Sequence, residues 1–499
     1  MARHRVPVQA LRNFLSILLG FALGAVNNLV ILPWAFADDL GQWGLVRIVM
    51  AWGSLLAPIM VFGAPAAMNR YSGVMERNGQ VPQLLGTLIQ STLLLFTGGL
   101  TLMLVASSDG VSSMLGLSVE QRNALQPIAI ITVIITAQLF LAGFLSTKLK
   151  TSLATFAKET VFKLGYALLA ICLGVGWLSK SAFLPAFLGL QFFVLLLLFA
   201  QAKANRLRVD IRGLGKSKLR REIRQYGAAM VMGGGAWMIL NQLDIIMVGS
   251  LMGLDYVPVF TVAAFIATVT TLPMRASHRL LTPLISRALD KNDPPEIDRL
   301  IQLSHRALLL TCGWIVTCIW VSSPQIDQLL PSEFSNLSGV ILTLGLMQLI
   351  QSSSKGSSIL LAQSNHFQKV VIVNWCMVAM AIPLNLLFIP ESGLGLGLWG
   401  AALATLLSIG LSSLAKQILL WQIWRKFVPN KKTLAICGVL LFPSLTLIYW
   451  NPSSHLLLTV LLKSTLVTAW LAVAAVKLKF VPEGVQFVLE KAPWLSRWT

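Results

Sequence analysis

Apolar stretches of about 20 residues follow one another along almost the whole 499-residue chain, each long enough to cross roughly 30 Å of hydrocarbon as a helix. A first set runs near 14–36, 43–67, 84–106, 125–145, 160–177 and 183–201. A second set runs near 227–252, 257–274, 307–323, 337–353, 370–390, 396–420, 434–450 and 456–476. Polar residues concentrate in the short breaks between them. The pattern predicts an all-α, polytopic membrane protein with about fourteen transmembrane helices. No small-residue cleavage site followed by a soluble domain comes after the first stretch, so it reads as a span and not as a signal peptide.

Two segments match at an offset of 214 residues: Asn27-Asn28-Leu29 falls on Asn241-Gln242-Leu243, and the turn Asp38-Asp39-Leu40-Gly41-Gln42 on Met252-Gly253-Leu254-Asp255-Tyr256. Six spans separate the copies. That even number gives both the same orientation, which predicts a parallel repeat about an axis along the membrane normal. The expected organisation is a six-helix lobe at 1–202, a basic cytosolic linker at 203–226, and a second six-helix lobe at 227–424. Two extra transmembrane helices and a cytosolic tail complete it at 425–499. The tail, from Lys477 on, carries Phe487, Leu489, Trp494 and Trp498 among Lys479, Lys491 and Arg497, and reads as interfacial.

Charge orients this plan. Only 12% of residues are charged, against about 25% in soluble domains. With the N-terminus in the cytosol, 34 of the 39 Lys and Arg fall in inside segments, the exceptions being Arg47, Arg122, Lys163, Lys180 and Lys463. This positive-inside bias places both termini in the cytosol. It also explains most of the +20 net charge, so the basic pI does not point to nucleic acid. The linker holds Arg206, Arg208, Arg212, Lys216, Lys218, Arg220, Arg221 and Arg224; it fits either a basic amphipathic segment on the inner leaflet or a solvated loop. The five cysteines are odd in number, lie inside apolar runs and form no CxxC pair, so neither a disulfide framework nor a metal site is indicated. No metal or cofactor is expected. Without a GxxxxGK[ST] phosphate loop, energy must come from gradients, membrane potential or the substrate's own chemical sink.

Charges within spans cost roughly 2.5–3.5 kcal/mol each, so each needs a reason. Arg47 lies near the outer end of the second span, where it either binds a phosphate or sugar in a cavity or snorkels to the interface. Asp244 is the one carboxylate well inside a span and is the candidate ion-coupling residue; a structural partner for Arg47 or a neighbouring helix end is the alternative. By the repeat offset it corresponds to Val30. Arg275 and Arg279 are four residues apart at the inner end of the eighth span, on one face, forming either an anion-attracting mouth or ordinary positive-inside anchors. Lys163 sits about one turn inside the fifth span and faces a cavity or snorkels. Lys463, in the last span, lines a lipid-tail groove or reaches the headgroups. Gly233-Gly234-Gly235 allows close packing or bending of the seventh span. Pro33, Pro58, Pro65 and Pro273 mark kinks.

Asn385-Leu386-Leu387-Phe388-Ile389-Pro390, then Gly393 and Gly400-Ala401-Ala402-Leu403-Ala404-Thr405, resembles a signature of bacterial polysaccharide flippases. These belong to the multidrug/oligosaccharidyl-lipid/polysaccharide exporter superfamily. Leu243-Asp244-Ile245-Ile246-Met247-Val248-Gly249 with Gly253, Phe260 and Ala263 resembles the family's seventh and eighth helices, and Gly44 with Ala67-Met68-Asn69-Arg70-Tyr71 its first repeat. Pro258 departs from the glycine usual before the eighth helix. The resemblance spans nearly the whole chain. It implies an O-antigen-type flippase, not an enzyme, that moves undecaprenyl-pyrophosphate-linked oligosaccharides across the bacterial inner membrane. Its implied partners are that lipid-linked glycan, membrane lipids and glycan polymerase machinery. Arg47, Lys163, Arg275 and Arg279 are then the candidate substrate-binding residues. Two other readings are a cation-coupled multidrug exporter and a lipid II flippase of the same superfamily. Many such exporters carry an acidic residue in the first helix, where this chain has Asn27 and Asn28. A membrane glycan polymerase or ligase ranks low, because the loops are too short for a catalytic one.

Overall fold

Apolar runs that cannot leave backbone groups unpaired in hydrocarbon must close them within helices, and the chain does so throughout. The computed structural model describes residues 16–478, apart from 107–118, 216–217, 335, 426–427, 429 and 454, and holds no strand among them. The interfacial tail expected beyond 478 lies outside the described residues. Ten helices are long and apolar enough to span a bilayer, and the pair Tyr256–Thr268 and Thr271–His278, bent by 54°, makes an eleventh. Three further helical segments, at 151–174, 338–363 and Lys431–Thr446, fall where the sequence predicts the remaining spans. We label them in order: α1 Ser16–Ala35, α2 Leu40–Arg77, α3 Val81–Ala106, α4 Val119–Thr147, α5 151–174, α6 Lys180–Ala204 and α7 Lys218–Leu251. Then follow α8 256–290, α9 Pro294–Val321, α10 338–363, α11 Phe367–Phe388, α12 Gly397–Trp424, α13 Lys431–Thr446 and α14 Leu456–Lys477.

By internal packing the chain forms two compact units, Met1–Pro258 and Val259–Thr499. In the first, α4 packs between α2 and α6, and α7 lies along α2. Its core gathers Val61, Met68, Leu84, Phe140, Phe144 and Leu198. In the second, α12 packs against α10 and α11, while α9 meets α10, α13 and α14.

The helices break where the sequence weakens them. α1 and α5 each contain a π turn, at Asn27–Ile31 and Ala157–Val161. α2 is interrupted just after Pro58, where Phe62 and Gly63 adopt positive φ, and resumes with Pro65 in its first turn. Pro273 opens the second half of α8 at its bend. The Gly233–Gly235 run does not break α7, and a β-carbon at Gly233 or Gly234 would meet open space. Close packing falls elsewhere. At Gly44 a β-carbon would land on the Leu254 carbonyl, at Gly249 on Ile48 Cδ1, and at Gly227 it would press on the Phe62 carbonyl, so α2 and α7 form a tight antiparallel seam.

The helix ends also refine the repeat. α1 ends at Ala35 and α7 at Leu251, and α2 starts at Leu40 and α8 at Tyr256, an offset of 216 at both boundaries. On that register Asp39 falls on Asp255, and Asp244 on Asn28 rather than Val30.

Candidate functional site

A helix that carries a lysine through hydrocarbon needs anionic or polar company for it, and in the second unit two such lysines, apart from Lys463, lie on neighbouring helices. α10 is interrupted at Ser352-Ser353-Ser354 and resumes with Lys355, while Lys416 lies within α12. Each is eight residues before its helix end, a matching depth of about 12 Å at 1.5 Å per residue. Both are half-buried, and among the described residues neither forms an ion pair. The second half of α10, which carries Lys355, packs against α8, which carries His278, and against α12, which carries Lys416. Three nitrogen bases thus lie on helices packed together, and none of them is in an ion pair among the described residues.

Polar side chains surround them. The Ser354 and Ser413 hydroxyls are 3.3 Å apart, and Gln417 Nε2 donates to Ser357 Oγ at 3.2 Å. Gln417 Oε1, Ser412 Oγ and Gln351 Oε1 are buried with no hydrogen-bond partner. Open hydrogen-bonding capacity of this kind costs about 1–3 kcal/mol per group unless a ligand or water uses it. The break itself is pinned from α9: the buried His305 bonds the Ser353 carbonyl through Nδ1 at 2.9 Å and the Thr433 hydroxyl through Nε2 at 3.0 Å. Nδ1–H must donate to that carbonyl, so Nε2 accepts from Thr433 (the tautomer is inferred from the bonds). Gly356 lies against Ser304, where a β-carbon would strike the hydroxyl, and this holds the Lys355 segment close to α9.

In the first unit Arg47 stands half-buried beside an aromatic wall. Phe36 packs on Trp43 at 6.1 Å and on Phe183 at 4.9 Å between centroids. Tyr166 meets Phe187 at 5.3 Å and Phe162 at 6.0 Å, and its hydroxyl lies beside Trp43 and the Arg47 guanidinium. Asp244 is buried on α7. The seam contacts of Gly44 with Leu254 and Ile48 with Gly249 set it about two turns further along α2 than Arg47.

The remaining sequence candidates are placed differently. Lys163 is engaged: its ammonium donates to the Gly20 carbonyl at 2.9 Å and to Glu159 Oε2 at 2.8 Å. Its own carbonyl accepts from Asn27 Nδ2 at 2.8 Å, so the residue ties the two π turns together. Arg275 is exposed on α8, one turn before His278. The Arg279 side chain, like that of Arg122, lies outside the described ones. Lys463 neither lines a lipid groove nor reaches headgroups; it is 0% exposed and bonds three acceptors.

Sequence reading missed Lys355, Lys416 and His305. Lys416 was legible, because it interrupts the 396–420 run. Lys355 hid in a Ser-rich stretch that reads as a loop.

No family model and no curated protein matches the sequence. Solved structures do. The chain is similar to the lipid II flippase MurJ in an inward closed conformation, at 15% identity and TM-score 0.70, covering 93% of this chain and 98% of that one. It is similar to an inward-facing multidrug resistance MATE family transporter of the MOP superfamily, at 16% identity and TM-score 0.62, over 85% of this chain and 99% of that one. An outward-facing MATE structure matches at 15% identity and TM-score 0.57, over 86% and 96%. The fold is the one these membrane transporters share. It extends over nearly the whole chain, so the expected all-helical, multi-pass architecture holds.

Proposed function

We propose that the chain is a flippase that translocates polyprenyl-pyrophosphate-linked oligosaccharides across the bacterial inner membrane by alternating access, for surface polysaccharide assembly. The observation that carries this reading is the grouping of His278, Lys355 and Lys416 on packed membrane helices, with no ion pair to any of them among the described residues. A pyrophosphate crossing a low-dielectric region needs cations and hydrogen-bond donors to offset its lost hydration. Arg47, with its planar fork, serves as the corresponding group in the first unit, and Arg275 stands at the approach to the lysines. The lobes 1–202 and 227–424 are the moving bodies. Both termini lie in the cytosol, in keeping with the charge bias. Lys163 keeps the π turns of α1 and α5 in register and does not touch substrate.

A cation exporter would call for carboxylates within the spans. Among the described residues the acidic groups well within spans are Asp244 and Glu159, and Glu159 is paired with Lys163. The coupling role therefore rests on Asp244. Deleting the protein should leave lipid-linked repeat units on the inner leaflet and block surface glycan. Intact glycan export together with raised sensitivity to cationic drugs would overturn the reading in favour of the exporter.

A further inference from the structure

The basic connection between α6 and α7 is neither helical nor free. Residues 205–215 lie as a strap along the first three turns of α3. Asp210 N donates to the Pro82 carbonyl at 3.0 Å, Leu214 N to Thr87 Oγ1 at 3.0 Å, and Gln90 Nε2 to the Ile211 carbonyl at 2.6 Å. Arg220 closes the arrangement, with Nη2 on Gln90 Oε1 at 3.1 Å and Nη1 on the Gly215 carbonyl at 3.0 Å. A β-carbon at Gly86 would land on the Asp210 carbonyl, so the strap and α3 touch backbone to backbone. Leu207 and Leu214 pack against the apolar core beneath.

The strap's one carboxylate is turned back onto its own backbone, with Asp210 Oδ1 accepting from Arg212 N at 3.1 Å. Arg206, Arg208 and Arg212 are exposed and form no ion pair among the described residues. Ile211 stands among them at 78% exposure and Val209 at 37%.

We propose that this strap is a preformed platform for the headgroups of anionic phospholipids. Its ends continue into two spanning helices, which fixes it at a membrane surface, and the charge bias assigns that surface to the inner leaflet. Guanidinium groups bind phosphate bidentately, and each basic residue near an anionic surface contributes about 1 kcal/mol. Because α3 already orders the backbone, binding need not meet the entropy cost of ordering a loop. The exposed isoleucine fits a headgroup–acyl boundary and gives a free phosphate ion nothing to bind.

The test uses the full-length protein, delipidated in a neutral detergent and offered mixed micelles of phosphatidylglycerol and phosphatidylcholine. Retained lipid is counted by native mass spectrometry. The wild type should retain phosphatidylglycerol at least tenfold over phosphatidylcholine, and the R206Q/R208Q/R212Q variant should retain both about equally. Ile211→Ser should lower the preference severalfold with the charge unchanged. Gly86→Val or Thr87→Val should lower it by loosening the strap with all three arginines in place, monodispersity confirming the fold. Wild-type preference in the triple variant would overturn the proposal. So would wild-type preference in both strap-loosening variants, since net charge alone would then suffice. Competition by inorganic pyrophosphate as effective as that by the lipid would mark a simple anion site and overturn it too.

Discussion

Lys463 offers a sharp test of how the second unit holds its last two helices. Its ammonium donates to the carbonyls of Val321 at 3.1 Å and Ile448 at 3.0 Å and to Gln325 Oε1 at 3.1 Å. Val321 closes α9, and Ile448 lies two residues past the end of α13. The last carbonyls of a helix have no intrahelical donor, and that end carries partial negative charge. One buried cation thus caps α9 and ties to it the segment just past α13. Lys463→Met keeps most of the volume of the stem and removes the donors. Three orphaned acceptors at about 1–3 kcal/mol each give roughly 3–6 kcal/mol once Gln325, still bonded to Asn451 at 2.7 Å, has relaxed. For a unit of this size that corresponds to a fall of about 6–12 °C in the midpoint of thermal unfolding, read by intrinsic fluorescence in detergent. Arginine should fail as a replacement, because the site has no space for the larger head. A methionine variant melting within about 1 °C of wild type would refute the capping account.

Three further outcomes follow from the geometry. Gly44→Val should separate α2 from α7 and sharply reduce monodisperse protein on gel filtration, whereas Gly73→Val, where a β-carbon meets open space, should behave as wild type; equal yields would contradict the seam. His305→Ala should lower stability by about 1–3 kcal/mol by orphaning the Ser353 carbonyl and reduce transport with it, and an unchanged melting midpoint would remove the pin from the α10 break. Asp244→Asn should abolish transport in protein inserted at normal levels, and full transport by that variant would take Asp244 out of the coupling mechanism.

Much of this architecture was legible because hydropathy acts at the scale of whole spans: the apolar runs reappear as helices, ten or eleven of them long and apolar enough to cross a bilayer among the described residues. The expected prolines sit where α2 and α8 break. What local pattern hid were features created by neighbours. The π turns of α1 and α5 carry no compositional mark; they show only where Asn27 and Lys163 bond across them. The run 337–353 was read too short, because three serines at a kink look like a loop until His305 supplies the partner for Ser353. Lys463 looked like a snorkelling residue because its acceptors lie 15 to 142 positions away in sequence. The basic linker was read as amphipathic or solvated, and its docking on α3 depends on Gly86, Thr87 and Gln90. Arg47 and Asp244 are conspicuous in the sequence, since a lone charge in an apolar run stands out.

The central claim is that the unpaired lysines of α10 and α12 serve a pyrophosphate-bearing lipid. The direct measurement is flipping of a fluorescent polyprenyl-pyrophosphate oligosaccharide in vesicles reconstituted with purified protein, read by accessibility to a membrane-impermeant quencher. Wild type should flip it, K355Q/K416Q should lower the rate by at least tenfold at equal incorporation, and Lys355→Arg should retain a substantial part. Wild-type flipping by the double glutamine variant would contradict the account.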